Sequence, residues 1–263
     1  MTTDTTGYTG PNGNLPWLCV ANEVTASTID SSSADAGYEA EAVRGPQTYS
    51  AWSPSALPAW VRATFPASSE AVINYVLTYV TDGGNCEFQP ERWDGVTWTP
   101  IGAPMFVAIG DASCLLWIFD DTPAEGLRLY VSGGSEAVYV ATLKTGRATV
   151  MPYCPPPGYG PSALNPTVFY RNVMSQGGQI LGSILERSEA EEKLTFDNLT
   201  PAWVRANWPE LLRLFRTEGV GFAWRPEAYP DELCYGMVTG RPTIEYSNLS
   251  RMKANFTIQG PKP

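Results

Sequence analysis

A mainly β fold is what this sequence predicts: an N-terminal β-sandwich, then a smaller β-barrel or sandwich carrying one helical segment. Three observations lead there. Residues 49–101 consist of short runs rich in β-branched and aromatic side chains, punctuated by turn formers. The 263 residues include 24 Gly and 23 Pro with only 17% charged side chains, the habit of a turn-rich β protein. Residues 151–161, MPYCPPPGYGP, then break the chain with consecutive prolines, which favour polyproline II and a semi-rigid spacer. The organisation expected is a flexible arm over 1–14, a sandwich over 15–147, a Pro-rich linker over 148–164 and an assembly domain over 165–263.

In the first half, strands are expected over 24–28, 60–65, 72–80, 87–93, 114–119, 127–131 and 138–143. Residues 30–55, rich in Ser, Ala, Gly and Glu, read as loop. Asp94-Gly95 stands between two Trp-bearing arms as a tight hairpin turn. In the second half, residues 183–187 and 193–196 read as paired strands. Thr200-Pro201 is an N-cap followed by a first-turn proline and opens a helix near 201–218. Pro209 is expected to interrupt that helix, with Asn207 and Glu210 restarting it. Trp208, Leu211, Leu212 and Phe215 form one apolar stripe at helical spacing, and Gly219 closes it. Strands follow over 220–224, 233–239 and 253–259. The hexapeptide PAWVRA occurs at 58–63 and again at 201–206. Flanking context predicts strand for the first copy and helix for the second.

Composition excludes several classes of function. Net charge is −10 and no cluster of Lys and Arg stands ready to displace phosphate counterions, so nucleic acid is not expected as a partner. No apolar run approaches the ~20 residues that span a bilayer, so no membrane insertion is expected. The N-terminus MTTDTT lacks the basic start and apolar core of a signal peptide, which implies synthesis in the cytoplasm. Cys19, Cys86, Cys114, Cys154 and Cys234 are odd in number and widely spaced, and read as reduced thiols. There is no histidine, which removes Ser-His-Asp and Cys-His catalysis and the usual zinc sites. No cofactor and no enzyme activity are expected. A carboxylate pair drawn from Glu87, Glu91, Asp94 and Asp120 is the material left for a carbohydrate-active enzyme, the least favoured reading. Asp120-Asp121 reads as exposed loop in preference to a calcium pair.

The order of Trp60 to Phe65-Pro66, a β-branched strand, and then Asp94-Gly95-Val96-Thr97-Trp98 to Ile101 resembles the discoidin-like, or galactose-binding-like, jelly roll. The likeness covers about the first half of the chain; Arg92-Trp93 stand where that family has Ser and a spacer. It implies a binding module, commonly for a glycan, with its site on loops at one end of the sandwich. The residues placed there are Glu41, Arg44, Tyr49, Trp52, Arg92 and Trp93, with aromatic faces for sugar CH groups and fixed polar groups for hydroxyls. Trp60, Trp98 and Trp117 are assigned to the core.

The second half carries Ser175-Gln-Gly-Gly-Gln-Ile-Leu-Gly182, then Phe196-Asp-Asn-Leu199 with Trp203 and Trp208, then Gly219-Val-Gly-Phe-Ala-Trp-Arg-Pro-Glu-Ala-Tyr-Pro230. Joined to a jelly roll, these pieces resemble a minor tail or baseplate protein of a tailed bacteriophage, of the distal-tail type. In such proteins the ring domain comes first, the reverse of the order here. The resemblance implies a structural protein of the virion that assembles as a ring homo-oligomer. Its partners would be itself, other phage tail proteins and a host surface glycan.

Overall fold

The computed structural model describes residues 1–66, 71–134 and 136–261. Its strands are β1 Thr2–Gly7, β2 Trp17–Cys19, β3 Thr28–Ser31, β4 Ala59–Thr64, β5 Ala71–Asp82, β6 Cys86–Trp93, β7 Trp98–Pro100, β8 Met105–Val107 and β9 Ser113–Ala124. Then come β10 Gly126–Gly133, β11 Tyr139–Gly146, β12 Thr149–Val150, β13 Thr167–Met174 and β14 Ile180–Leu199. Helix α1 Pro201–Leu214 precedes β15 Val220–Ala223, β16 Leu233–Asn248 and β17 Arg251–Pro261. Among the described residues these strands make three sheets, ordered β1-β9-β5-β11, β3-β4-β10-β6-β7 with β8 beside β6, and β12-β2-β15-β16-β17-β14-β13. The fold is mainly β, as the residue pattern predicts.

The three sheets stack as layers, and β5 shows why. Its residues are apolar nearly without a break, the pattern of a strand covered on both faces. Ile73, Val76 and Val80 point into the sandwich core with Val61, Phe88, Leu115, Trp117 and Leu129. Tyr75, Leu77 and Tyr79 point the other way, into a second buried layer with Trp17, Cys19, Leu116 and Tyr235. A third core lies within the C-terminal unit, where Phe196, Phe222 and Phe256 meet the α1 stripe of Val204, Trp208, Leu211 and Leu214. The C-terminal sheet therefore docks on the sandwich's outer face.

Several sequence expectations are corrected by this packing. The segment 148–164 is no free spacer: β12 pairs with β2, Met151 is buried in the C-terminal core, and the Tyr159 ring packs 5.1 Å from Trp224. The Tyr159 hydroxyl also donates to buried Glu192. Residues 1–14 are no flexible arm. β1 carries four β-branched Thr and runs parallel to β9, and the backbone N–H of Ala103 donates to Asp4 at 2.7 Å. Nor does β2 belong to the sandwich; it pairs with β15 in the C-terminal sheet.

Residues 23–26 form a 3-10 turn capped by the Asn22 side chain at 3.2 Å, so the strand expected over 24–28 starts only at Thr28. Residues 183–187 and 193–196 do not pair with each other but lie on one strand, β14, since no turn former separates them. The turn falls instead at 175–179, where Gly178 adopts φ +79° and Ser175 N–H donates to the Gln179 carbonyl at 2.8 Å. Helix α1 passes through Pro209 unbroken. Pro209 and Arg205 sit on the exposed face, where water can take the carbonyl left without its donor, while Trp208 and Leu211 on the opposite face hold the helix down. The two PAWVRA copies fall in β4 and α1, one strand and one helix, as context predicts.

Candidate functional site

Glu41, Arg44 and Tyr49 come together. They line an open depression of about 460 Å³ at the seam between sandwich loops and the end of α1, with Thr25, Gln47 and Glu218. Arg44 ends a 3-10 turn over Ala40–Arg44. Its guanidinium grips Glu41 at 2.8 and 3.1 Å and donates to the Thr25 carbonyl at 2.7 Å. The bond to Glu41 raises the Arg44 pKa further. The loop behind Tyr49 is pinned from below: Thr142 Oγ1 donates to the Gly45 carbonyl and Tyr235 OH to the Pro46 carbonyl, both at 3.1 Å. Tyr49 itself is 89% exposed, a free ring over a fixed loop.

The opposite wall is Glu218, which accepts from Asn22 Nδ2 at 3.2 Å and from Thr25 Oγ1 at 3.3 Å. Beneath it Lys144 is buried, donating to the Gly219 carbonyl and lying 3.7 Å from Glu218. Burial pulls the Lys144 pKa down to about 8, against the pull of Glu218 in the other direction. The depression thus offers two carboxylates, one guanidinium, one amide and one exposed ring on a rigid floor. Such groups suit a polyhydroxylated ligand: donors and acceptors for hydroxyls, a flat face for CH groups.

Trp52 does not belong to this surface, and its assignment to the ligand platform is corrected. It is 0% exposed and packs in the sandwich core. Its backbone exchanges hydrogen bonds with Val140 at 2.8 and 2.9 Å, and its indole N–H donates to the Ser33 carbonyl at 2.9 Å. A Pro-bounded loop can place a Trp inward when strand-like pairing holds its backbone. Trp60 and Trp98, expected in the core, are half-exposed, while Trp117 is buried. On β4 the inward face is Ala59, Val61 and Ala63, so period-2 alternation turns Trp60 outward, where Arg62 stacks 4.9 Å from its ring. Trp98 instead carries the Arg128 guanidinium at 4.7 Å.

Arg92 and Trp93 lie elsewhere. Thr28, Thr64, Gly126 and Trp93 occupy one row of the second sheet, which places Trp93 three strands across from β3. Trp93 packs on Trp98 at 5.2 Å, and Arg92 donates to the Pro123 carbonyl at 3.3 Å.

Three of the four candidate hydrolytic carboxylates have other tasks, and the fourth, Glu87, is exposed on β6. Asp94 caps its own turn, accepting from Thr97 N–H at 2.7 Å and Val96 N–H at 2.9 Å, and those bonds lower its pKa. Asp120 accepts from Thr9 Oγ1 at 2.6 Å, which lowers its pKa, and Glu91 pairs with Arg128. Among the described residues no group of His, Cys, Asp and Glu is arranged to hold a metal ion, and no helix is long and apolar enough to cross a membrane. Sequence reading missed Thr25, Gln47 and Glu218. The first two sit in turns with no pattern of their own, and Glu218 reaches the site only because the C-terminal unit docks on the sandwich.

No family model matches the chain, and no curated protein matches it. Solved structures do resemble it over about half its length. The family 32 carbohydrate-binding module of Clostridium perfringens NanJ, in complex with galactose, is 12% identical with a TM-score of 0.40, covering 50% of this chain and 98% of that one. The lectin binding domain of Lectinolysin, complexed with Lewis b, is 13% identical with a TM-score of 0.41, covering 49% and 99%. Chitosan-binding module 1 from a chitosanase/glucanase of Paenibacillus sp. IK-5 is 19% identical with a TM-score of 0.38, covering 48% and 98%.

Proposed function

We propose that the protein is a binding component, not an enzyme, and that it holds a glycan in the seam depression. The observation that carries this reading is the convergence of Glu41, Arg44 and the exposed Tyr49 on one rigid, polar, open floor. The site is shallow, so a single copy binds weakly and copies displayed together gain avidity. Galactose, Lewis b and chitosan, the ligands named for the similar folds, supply the first probes. Full-length protein, labelled and applied to a glycan array, should mark a subset of spots, and Tyr49→Ala should lose them. An array left blank by the wild type removes the glycan reading.

A second reading has its own observation. The protein serves as a structural part of a phage tail tip or baseplate, assembled with itself and with other tail proteins in the virion. The β13–β14 hairpin supports this, because it carries Tyr170, Met174, Ile180 and Leu181 outward into solvent, a surface suited to burial in an assembly. Antibody labelling of purified particles checks it: label at the tail tip supports the reading, and particles free of the protein end it.

A further inference from the structure

We propose that the β13–β14 hairpin of one copy docks in the groove between α1 and β16 of a second copy. The proposal rests on the assembly reading and names its contact surface.

The hairpin is built to be covered. Strand β14 leaves β17 at the pair Glu189↔Pro261, and from there residues 180–188 pair with β13 alone. At about 3.3 Å per residue the two strands project ~30 Å past the last residue of β17. Apolar side chains stand on both faces: opposite Met174 and Tyr170, Ile180 and Leu185 share one, and Ile184, opposite Arg171, takes the other, each more than half exposed. A two-stranded hairpin is marginal in water without a surface to pack on. Among the described residues β13 is the last strand of its sheet, so its outer edge has no further strand beside it.

The same chain offers a receiving surface that its own hairpin cannot reach. An open groove of about 720 Å³ runs between Trp208 and Leu212 of α1, with Phe215 just after it, and Met237, Val238 and Ile244 of β16. Met237 lies in the row of Gln259 and Glu191, eleven positions along β14 from Ile180. That distance is about 36 Å along the strand, and the hairpin points away from the groove. The contact must therefore come from another molecule.

Charge selects a second copy as the occupant. The chain carries net charge −10, so two copies repel over most of their surfaces. Residues 167–189 are an exception, since Arg171 and Arg187 balance Glu186 and Glu189. The groove is another, for its charged lining residues are Arg216 and Arg241, with no carboxylate. A neutral apolar arm and a cationic apolar groove are where two such molecules meet without opposing charge. Because arm and groove are different surfaces, the contact is head-to-tail, and repetition closes a ring or extends a filament.

The test uses the full-length chain, with mass followed by light scattering through a dilution series. Wild type should form species heavier than the 28.6 kDa monomer. Leu181→Asp on the arm, and Arg216→Glu with Arg241→Glu in the groove, should each give monomers with an unchanged thermal midpoint. Mixing the two variants should restore association but stop at a dimer, since that pair retains one intact arm facing one intact groove. Oligomers unaffected by either variant overturn this docking and leave the assembly reading standing on another surface. A wild type monomeric at every concentration overturns self-association altogether, and a mixture that assembles beyond the dimer overturns the head-to-tail geometry.

Discussion

The seam depression and the β13–β14 hairpin are two open surfaces of this protein, and they are opposite in chemistry. The depression is lined by groups that water satisfies: Glu41, Arg44, Gln47, Glu218 and the edge of Tyr49. Leaving it empty costs little, which suits reversible capture of a hydrated ligand. The hairpin exposes 73% of Ile180 and 66% of Leu181, side chains that gain by leaving water, at roughly 25 cal/mol per Å². That surface suits a lasting contact. One chain can thus divide exchange and anchorage between two sites, each supported by a different part of the fold.

The largest expected effect lies beneath the depression. Trp52→Ala should cost about 3–5 kcal/mol, as loss of a core Trp does, and should collapse the loop that carries Tyr49. Chemical denaturation measures this; a loss below about 1 kcal/mol would place Trp52 at the surface after all.

Lys144 links the two halves by charge, and its effect can be isolated by pH. Its pKa is lowered to about 8 in the folded protein from an ordinary 10.5, so between those values the unfolded chain holds a proton that the native state has released. Stability contributed by this group therefore rises as pH climbs from about 8 towards 10.5. The stability of wild type relative to Lys144→Met should improve from pH 7.5 to pH 9.5. A gap that stays flat across that window would show that Lys144 is not buried at the seam.

Trp60→Ala should be milder, about 0.5–1 kcal/mol, through loss of the Arg62 contact. A cost equal to that of Trp52→Ala would erase the inside–outside difference between them. Smallest of all, Leu181→Asp should leave the denaturation midpoint within about 0.5 kcal/mol of wild type, because nothing in its own copy packs over it. A large loss would mean that the hairpin is already covered.

Much of the fold is legible in the residues. The β-branched run of β5, the Asp94-Gly95 turn and the Thr200-Pro201 helix start are local signals, and each appears where local chemistry puts it. Most of the failures share one cause. Parity of burial along β4, the tie between Trp52 and Val140, the pairing of β1 with β9 and the docking of residues 148–164 all depend on partners far away in the chain. A prolyl run reads as a spacer until Met151 and Tyr159 are seen packed against β15 and its neighbours. One global signal was available: β5 and β9 are apolar on both faces, which requires a third layer over the sandwich. For the candidate site, Glu41, Arg44 and Tyr49 were readable from loop composition, whereas Glu218 was not, since it arrives from the other unit.

The most direct test of the glycan reading is equilibrium calorimetry on the full-length protein and its Tyr49→Ala variant, titrated with galactose, Lewis b and chitosan oligosaccharides. Loss of the ring should abolish the binding heat of whichever ligand the wild type accepts, while thermal midpoint and mass distribution stay as they were. Wild-type protein that gives no heat with any of them, or a Tyr49→Ala variant that binds equally well, would contradict the assignment of the seam depression as the ligand site.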